Sequence, residues 1–277
     1  MLNWFPGHMN AARRKIREAM PKVDLVIEVL DARIPFSSEN PLVAELRGDR
    51  RCIQILNKED LADPAVTAEW LAHLQTRDGL VAMTHQQHQP KLNQRLLRQV
   101  RTLVPPKSGR PIAAMIIGIP NVGKSTLINA LSGRSIAKTG NKPAVTRQQQ
   151  RVAIGTDLVL WDTPGFLWPR LEPRVCGYRL AATGAISDRV VEAVDIAEFA
   201  GGFLLKRYAE RVLTHYGLTE TPDGPAAALE AIGLRRGYLR KGGVVDLERA
   251  ANALLKDLGA GTLGRISLET PADCLRK

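Results

Sequence analysis

The sequence has few cysteines and no long apolar run. Its three cysteines, Cys52, Cys176 and Cys274, are odd in number and far apart, which argues against both a disulfide framework and a zinc site. No stretch approaches the roughly 18 consecutive apolar residues that a membrane-spanning helix needs. The first residues lack the apolar centre of a secretory signal. We therefore expect a cytoplasmic chain with no membrane partner.

Acidic residues are scarce relative to basic ones. The 277 residues include 39 Lys and Arg against 28 Asp and Glu, a net charge of +11. The excess lies in residues 1–177, with 25 basic against 15 acidic side chains (+10), whereas residues 178–277 have 14 against 13 (+1). Because phosphate contacts dominate affinity for polyanions, this distribution indicates a nucleic-acid partner for the first part of the chain.

The remaining composition, 44% hydrophobic and 24% charged, suits a folded protein with a real core. Short apolar runs alternate with helical patterns at 63–77 and 91–103, which predicts a parallel α/β sheet. The predicted strands are 23–31, 51–56, 79–84, 111–118 and 157–161. A proline-rich stretch ends near Gly177, and the Ala- and Leu-rich segments beyond it predict helices at 190–217 and 244–261. We expect a domain at 1–177 and a small all-helical domain at 178–277.

A phosphate-binding loop is predicted where Gly118–Thr126 matches G-x-x-x-x-G-K-[ST] between a strand and a helix. In this pattern the backbone N–H groups surround the phosphates, the lysine reaches the β- and γ-phosphate oxygens, and the following hydroxyl binds Mg²⁺. A plain glycine-rich turn is the alternative. The predicted nucleotide-binding residues here are Asn121, Val122, Gly123, Lys124, Ser125 and Thr126.

Two further segments complete the predicted phosphate site. The sequence DTPG at Asp162–Gly165 follows a hydrophobic strand, so Asp162 is predicted to hold Mg²⁺ through water and the Gly165 N–H to meet the γ-phosphate. Thr146 lies in a polar loop about 20 residues after Ser125, where a switch threonine contacts the metal only while the γ-phosphate is present. A plain solvent loop is the alternative for Thr146. The predicted Mg²⁺ ligands are Ser125, Thr146 and Asp162.

The tetrapeptide NKED, residues 57–60, indicates the base. A carboxylate at its fourth position, Asp60, can accept two N–H groups from guanine, whereas adenine would leave the acid unpaired. Asn57, Lys58 and Asp60 are therefore predicted to bind GTP. The guanine motif precedes the phosphate loop, so the order reads as a circular permutation of a GTPase sheet, in which the chain starts midway through the fold.

These motifs resemble the circularly permuted GTPases of the ribosome-biogenesis GTPase A family, closely over residues 1–190 and loosely beyond. The segments that carry the resemblance are NWFPGHMNAA, VIEVLDARIPFSSENP, NKED, GIPNVGKSTLINAL, KPAVTR and DTPGFLWPR. The resemblance implies a circularly permuted P-loop GTPase domain followed by a helical domain that binds RNA or the ribosome. It also implies assembly of the large ribosomal subunit, contacts with ribosomal RNA and ribosomal proteins, and stimulation by the subunit.

The sequence departs from the family's pattern at two places. Pro143-Ala144 stands where the family has Pro-Gly. Thr84-His85 stands where a Ser-Ala pair is expected to contact guanine, and we keep Thr84 and His85 as predicted nucleotide-binding residues. As part of an H-x-x-H pattern, His85 and His88 are read as solvated residues rather than metal ligands.

The residue after DTPG, where Ras-like enzymes have a water-orienting glutamine, is Phe166. Unassisted turnover is therefore expected to be slow. An imidazole can activate water near neutral pH, and the resemblance implies that His8 is the catalytic residue; an aromatic anchor and turn before a helix is the alternative. Similar GTPases use an asparagine at the position of Asn121 to hold K⁺, so Asn121 is a predicted K⁺ ligand.

Three basic surfaces are candidates for RNA contact: Lys91, Arg95, Arg98 and Arg101 on one helix, Arg13, Arg14, Lys15 and Arg17 on another, and 235–243, where Tyr238 could stack on a base. A solvated helix face is the alternative for each helix. Two functions remain open: a GTPase that acts as an assembly checkpoint on ribosomal RNA, and a GTP-dependent switch for another RNA or a membrane whose hydrolysis is incidental. A monomer is expected.

Overall fold

The protein is described by a computed structural model that covers residues 8–86, 91–105, 110–133, 150–168, 171–186 and 192–274, with side chains from residue 13 onward. Its centre is a six-stranded sheet in the order β3-β2-β1-β4-β6-β5. All neighbouring strands are parallel except β5 and β6. The strands are β1 (Leu25–Asp31), β2 (Arg51–Asn57), β3 (Leu80–His85), β4 (Ile112–Gly118), β5 (Gln150–Ile154) and β6 (Leu158–Asp162).

Some helices connect the strands, and others come after the last strand in the chain. They are α1 (His8–Ala19), α2 (Pro35–Ser38), α3 (Pro41–Arg47), α4 (Pro64–Leu74), α5 (Leu92–Leu103), α6 (Lys124–Ser132), α7 (Arg174–Ala182), α8 (Ala193–Tyr216), α9 (Pro225–Arg235), α10 (Leu247–Ala260) and α11 (Pro271–Cys274). Asp63 caps α4 by accepting from the Ala65 N–H, with Pro64 at the first position, as the sequence predicts. No helix of the described ranges is both long and apolar enough to cross a membrane.

Both faces of the sheet are covered, which explains why the central strands are continuously apolar rather than alternating. Leu25, Ile27 and Val29 of β1 point into one buried cluster, while Val26 and Leu30 point into the other. The first cluster extends without a break into helices α8–α10. The predicted domain boundary at Gly177 falls inside α7, and the division into 1–177 and 178–277 stays a prediction.

The fold confirms the predicted parallel α/β sheet, all five predicted strands and the predicted helices. The strand pairings also bring the guanine motif after β2 close to the phosphate loop after β4, because β1 contacts β2 on one side and β4 on the other. The chain therefore has a circularly permuted arrangement: the strand that ends in NKED comes before the strand that leads into the phosphate loop. Six of the named elements were not predicted, namely β5, α2, α3, α7, α9 and α11.

Candidate active site

The predicted motifs meet at one edge of the sheet. Because parallel strands end at the same edge, β1, β2, β4 and β6 place Asp31, Asn57, Gly118 and Asp162 side by side. Asp31 is directly paired with Asn57 in the sheet register, and Asp162 is paired with Ile116, two residues before Gly118. Ligands of open α/β sheets bind in the crevice at this carboxyl edge.

The phosphate loop needs glycine at two positions for different reasons. A Cβ on Gly118 would lie 2.6 Å from the backbone oxygen of Val29, so only glycine lets this loop pass so close to β1. Gly123 has φ +96°, and a Cβ there would lie 2.2 Å from the side-chain nitrogen of Asn57. Asn121 also takes a left-handed conformation, at φ 55°. The loop is therefore shaped for backbone N–H groups to face a bound anion.

Lys124 bends back over the loop that precedes it. Its Nζ donates to the carbonyl oxygens of Gly118 at 3.1 Å and Ile119 at 2.9 Å. The side chain is 8% exposed, and burial lowers its pKa to about 8, against the opposing effect of Asp162. Phosphate oxygens would supply the negative charge that this buried ammonium lacks. A Cβ on Gly165 would lie 2.8 Å from Lys124 Nζ, which places the DTPG glycine against the loop.

Asp162 is buried at the end of β6 and has a free acceptor. Within the described part of the chain, its Oδ1 has no hydrogen-bond partner. Burial raises the pKa of this carboxyl to about 6, although Lys124 opposes the shift. An unpaired carboxylate oxygen and the Ser125 hydroxyl in the first turn of α6 are hard oxygen ligands of the kind that Mg²⁺ prefers.

Few protein ligands are available for a metal ion. The described residues contain no group of three His, Cys, Asp or Glu side chains that could hold one. Mg²⁺ sites of this type use one or two protein oxygens together with substrate phosphates and water. The residues present therefore fit a metal that arrives with the nucleotide, held through Ser125 and Asp162.

Asn57 joins the guanine loop, which we define as residues 57–63, to the phosphate loop. Its Nδ2 donates to the carbonyl oxygen of Val122 at 2.7 Å. Its Oδ1 lies 2.6 Å from His85 Nδ1, and since this amide oxygen only accepts, His85 carries its proton on Nδ1. The two bonds fix both ends of the Asn57 amide, so the two loops keep one relative position.

His85 supports Asn57 rather than lying in solvent. The side chain is 2% exposed, and burial lowers its pKa. The reading of His85 as a solvated residue is wrong, because β3 ends beside β2 and pairs His85 with Asn57. Thr84 is also buried. Whether Thr84 and His85 contact the base stays a prediction, and His88 lies outside the described residues.

A buried ion pair that sequence reasoning did not identify sits beneath the guanine loop. Lys58, in a left-handed conformation at φ 61°, donates to Asp31 Oδ2 at 2.8 Å. Arg33 binds the same carboxylate through Nη2 at 2.8 Å and Nε at 3.0 Å. Burial opposes ionisation of Asp31, but Arg33 and Lys58 hold its pKa well below its usual value. The sequence signal that could have indicated this ion pair is the charged triplet Asp-Ala-Arg, residues 31–33, directly after an apolar strand.

The remaining predicted residues lie as follows. Asp60 is exposed in the middle of the guanine loop, where a base could reach it, and Thr126 is exposed on α6. Asn121 donates from Nδ2 to the carbonyl oxygen of Gly184 at 3.1 Å, which leaves its Oδ1 to accept or to bind a cation. His8 begins α1, but its side chain lies outside the described residues, as does Thr146.

The segment after DTPG is buried and held in place. Phe166 is 1% exposed, so an apolar, buried side chain occupies the position of the water-orienting glutamine. The carbonyl oxygen of Phe166 accepts from Asn40 Nδ2 at 3.1 Å. The backbone N–H of Asn40 in turn donates to Glu28 at 3.2 Å, and Gln54 donates to the other Glu28 oxygen at 2.9 Å. Burial, and then the nearby Glu39, raise the pKa of Glu28 to about 8.

Glu28 makes stability depend on pH. The folded protein holds this proton more tightly than the unfolded chain, so its stabilising effect is complete below about pH 4.5 and is lost as the pH rises through about 8. We expect Glu28→Gln to reduce the fall in unfolding midpoint between about pH 6 and about pH 9. Thermal unfolding across this range measures it, with the exposed Glu69→Gln as the control. An unchanged pH dependence in Glu28→Gln would contradict the assignment.

Comparisons with known proteins show similarity to GTPases. Residues 113–215 match the family model described as 50S ribosome-binding GTPase. The chain is 39% identical to ribosome biogenesis GTPase A of Bacillus cereus over 99% of its length and 95% of that protein. It is 30% identical to the Thermotoga maritima protein of that name, over 98% and 95%. Mitochondrial ribosome-associated GTPase 1 of Bos taurus is 32% identical, over 96% and 88%.

Solved structures show the same fold. The GNP-bound structure of YlqF from T. maritima superposes with a TM-score of 0.68 at 28% identity, over 95% of this chain and 99% of that one. The GDP-bound structure gives the same TM-score and identity, over 94% and 100%. The motifs at one sheet edge, the similarity over nearly the full length and the shared fold together lead to one conclusion: the chain belongs to the ribosome biogenesis GTPase A family and is a GTPase that acts on GTP.

Proposed function

We propose that this GTPase assists assembly of the large ribosomal subunit in the cytoplasm, binding ribosomal RNA in a nucleotide-dependent way. The observation that carries the proposal is the buried Phe166 at the position of the water-orienting group. Such a site turns over slowly alone and depends on a partner for its full rate. The family description and the relatives' names, which refer to the ribosome, support the subunit as that partner.

Among the basic surfaces, helix α5 is the best placed for RNA. Lys91 and Arg98 are exposed on it, while Arg101 pairs with Asp157. A row of exposed cations on one helix face suits contact with successive phosphates. Helix α1 is less available, since Arg13 and Arg17 share Glu45 and Arg14 lies near Glu18.

The third basic surface, residues 235–243, makes contacts within the chain. The guanidinium of Arg249 lies 4.4 Å from the centre of the Tyr238 ring, so one face of that ring is already covered. Arg240 is paired with Asp246 at 3.0 Å. Tyr238 is therefore a weaker stacking platform than the sequence suggested, and the proposal gives α5 the main role.

We propose the following catalytic roles. Ser125 and Thr146 would hold Mg²⁺, with Asp162 as a further ligand through water, and Asn121 would help to hold K⁺. His8 orients the attacking water in the subunit-bound protein. Mg²⁺ would supply positive charge next to the phosphates, while Lys124 and the loop N–H groups position the nucleotide.

Sedimentation of the protein with purified large subunits tests whether binding depends on the nucleotide. We propose that the protein binds as a monomer. We expect co-sedimentation with a non-hydrolysable GTP analogue and much less with GDP, and none with purified small subunits. Lys91→Glu combined with Arg98→Glu should weaken binding and reduce its salt dependence. Equal sedimentation with both nucleotides and both subunits would contradict the proposal and would favour a switch for another RNA or a membrane.

His8→Ala tests the catalytic role. Positioned general bases contribute about 10²–10⁴-fold, so we expect subunit-stimulated turnover to fall about 100-fold while GTP affinity and subunit binding stay unchanged. His73→Ala, on α4 and away from the sheet edge, is the control and should keep full stimulation. If His8→Ala is stimulated as strongly as the wild type, His8 has no catalytic role.

A further inference from the structure

The backbone of the guanine loop, residues 57–63, is hydrogen-bonded to a segment near the C-terminus. We call residues 263–269 the C-terminal strap. Three successive strap residues bond the backbone of the loop and so fix its shape. The bonds are Arg265 Nη2 to Glu59 O at 2.8 Å, Arg265 Nε to Ala62 O at 2.8 Å, Ile266 N to Leu61 O at 2.8 Å and Asp63 N to Ser267 Oγ at 3.1 Å.

The C-terminal strap is packed into the core. Its apolar side chains Leu263, Ile266 and Leu268 are buried in the main core cluster. The Leu268 N–H donates to the carbonyl oxygen of Arg33 at 2.9 Å, next to the ion pair beneath Lys58. Just before the strap, a Cβ on Gly261 would lie 2.6 Å from Leu61. The segment that contacts the guanine loop is thus itself fixed by the core.

The same contacts reach helix α8. The Tyr208 hydroxyl donates to Asp63 Oδ2 at 3.1 Å and accepts from the Ser267 N–H at 3.3 Å. Arg211, one turn later, donates to the carbonyl oxygen of Arg265. Tyr208 also interrupts α8, because its φ and ψ of −136° and 30° are not helical. A bend in α8 therefore lies at the residue that joins this helix to the guanine loop.

We propose that the C-terminal strap positions the guanine loop, with Arg265 as the positioning residue, so that guanine-nucleotide affinity depends on how helices α8–α10 are docked. The inference rests on the proposed role of Asp60 in reading guanine. The strap holds the carbonyls on both sides of Asp60, and a freer loop would have to be ordered when the base binds. A partner that displaces α8 or α10 would then speed nucleotide release. By reciprocity, a bound nucleotide tightens the strap.

Arg265→Ala tests this directly. The Arg265 side chain is exposed, and its loss removes two charge-assisted hydrogen bonds to the loop. We expect the Kd for GDP to rise about tenfold through faster dissociation. The value of kcat at saturating GTP should stay unchanged, because Lys124 and Asp162 do not contact the strap. Arg265→Lys keeps the positive charge but loses the geometry that lets arginine donate to two carbonyl oxygens at once. Its Kd for GDP should lie between those of the wild type and Arg265→Ala. Arg240→Ala, an exposed arginine on the 238–245 hairpin, should bind GDP as the wild type does.

A second measurement needs no substitution. In amide hydrogen exchange of the full chain, GDP should slow exchange at Ile266, whose N–H donates to Leu61 O. A strap that is only structural would not respond to nucleotide. Base choice of Asp60→Asn, measured with GTP and XTP, tests the guanine reader separately. If Asp60→Asn keeps its preference for GTP, Asp60 does not recognise guanine. The GDP affinities of the wild type and Arg265→Ala still test whether the strap positions the loop.

The outcomes separate clearly. Weaker GDP binding in Arg265→Ala with wild-type kcat, together with protection of Ile266, supports the proposal. Wild-type GDP affinity in a folded Arg265→Ala overturns it. Should Arg265→Ala fail to fold, exchange in the unsubstituted protein decides, and an Ile266 rate indifferent to GDP overturns the proposal as well.

Discussion

Gly123→Ala should abolish high-affinity GTP binding, weakening it about 100-fold or more, which corresponds to roughly 2.7 kcal/mol. The added Cβ would lie 2.2 Å from Asn57 Nδ2, at a backbone φ of +96° that L residues rarely adopt. Either the phosphate loop or Asn57 must move. Since Asn57 donates to Val122 O, the substitution disturbs the loop that surrounds the phosphates and the link to the guanine loop together. Equilibrium binding of a fluorescent GTP analogue measures the loss.

Gly133→Ala is the matched control. Gly133 ends helix α6, which begins at the phosphate loop, and it also has a positive φ, +65°. Unlike the Cβ at position 123, a Cβ there meets no described atom within 4 Å. We expect a loss of about 1 kcal/mol in unfolding free energy from backbone strain, with unchanged GTP affinity. Wild-type affinity in Gly123→Ala, or an equal loss in Gly133→Ala, would contradict the described geometry.

Asp60→Asn should reverse base preference. A carboxylate accepts two N–H groups from guanine, whereas an amide presents one donor and one acceptor and suits xanthine, whose 2-position carries an oxygen. Sites built around a specific hydrogen-bond pattern discriminate by about 10⁴-fold or more. We expect GTP affinity to fall by about 10³-fold and XTP to become the better ligand. Competition binding with GTP, XTP and ATP measures the change.

Glu59→Gln, in the same loop, separates base reading from a general charge effect. The structure uses the Glu59 backbone oxygen, which accepts from Arg265, and the substitution leaves that oxygen in place. We expect Glu59→Gln to keep its preference for GTP. A similar loss of GTP affinity in both variants would show that the loop's negative charge, rather than a specific pair with guanine, sets the preference.

Much of the phosphate half of the site was predictable because its chemistry is local in sequence. A strand, a glycine-rich turn and a helix follow each other directly in 112–132, so their residues predict both geometry and ligand. The adjacent strand ending in Asp162 added a second local signal. The structure then placed these elements at one sheet edge, as parallel pairing requires.

The features that sequence reasoning missed depend on contacts between distant segments. His85 is buried because β3 pairs with β2 and brings its ring to Asn57, which nothing in the H-x-x-H pattern indicates. The strap contacts of Arg265 join residues that no local period relates. Such contacts appear only once the sheet order and the docking of the C-terminal helices are known.

Two secondary elements were missed for local reasons. Strand β5 is a short antiparallel edge strand with three of its five residues exposed, and it follows a polar, basic stretch, so it lacks the apolar run typical of the other strands. Helix α7 begins just after Pro173, within a stretch whose prolines favoured a linker. Proline is compatible with a helix start, which is how the chain uses it here.

We expect this GTPase to depend on the large ribosomal subunit to complete its catalytic site. The most direct test is steady-state GTP turnover in K⁺ buffer with and without purified large subunits, with Na⁺ buffer and small subunits as controls. We expect slow turnover alone and a rise of about tenfold or more with large subunits, greater in K⁺ than in Na⁺. Tight GTP binding with no stimulation by the large subunit would contradict it.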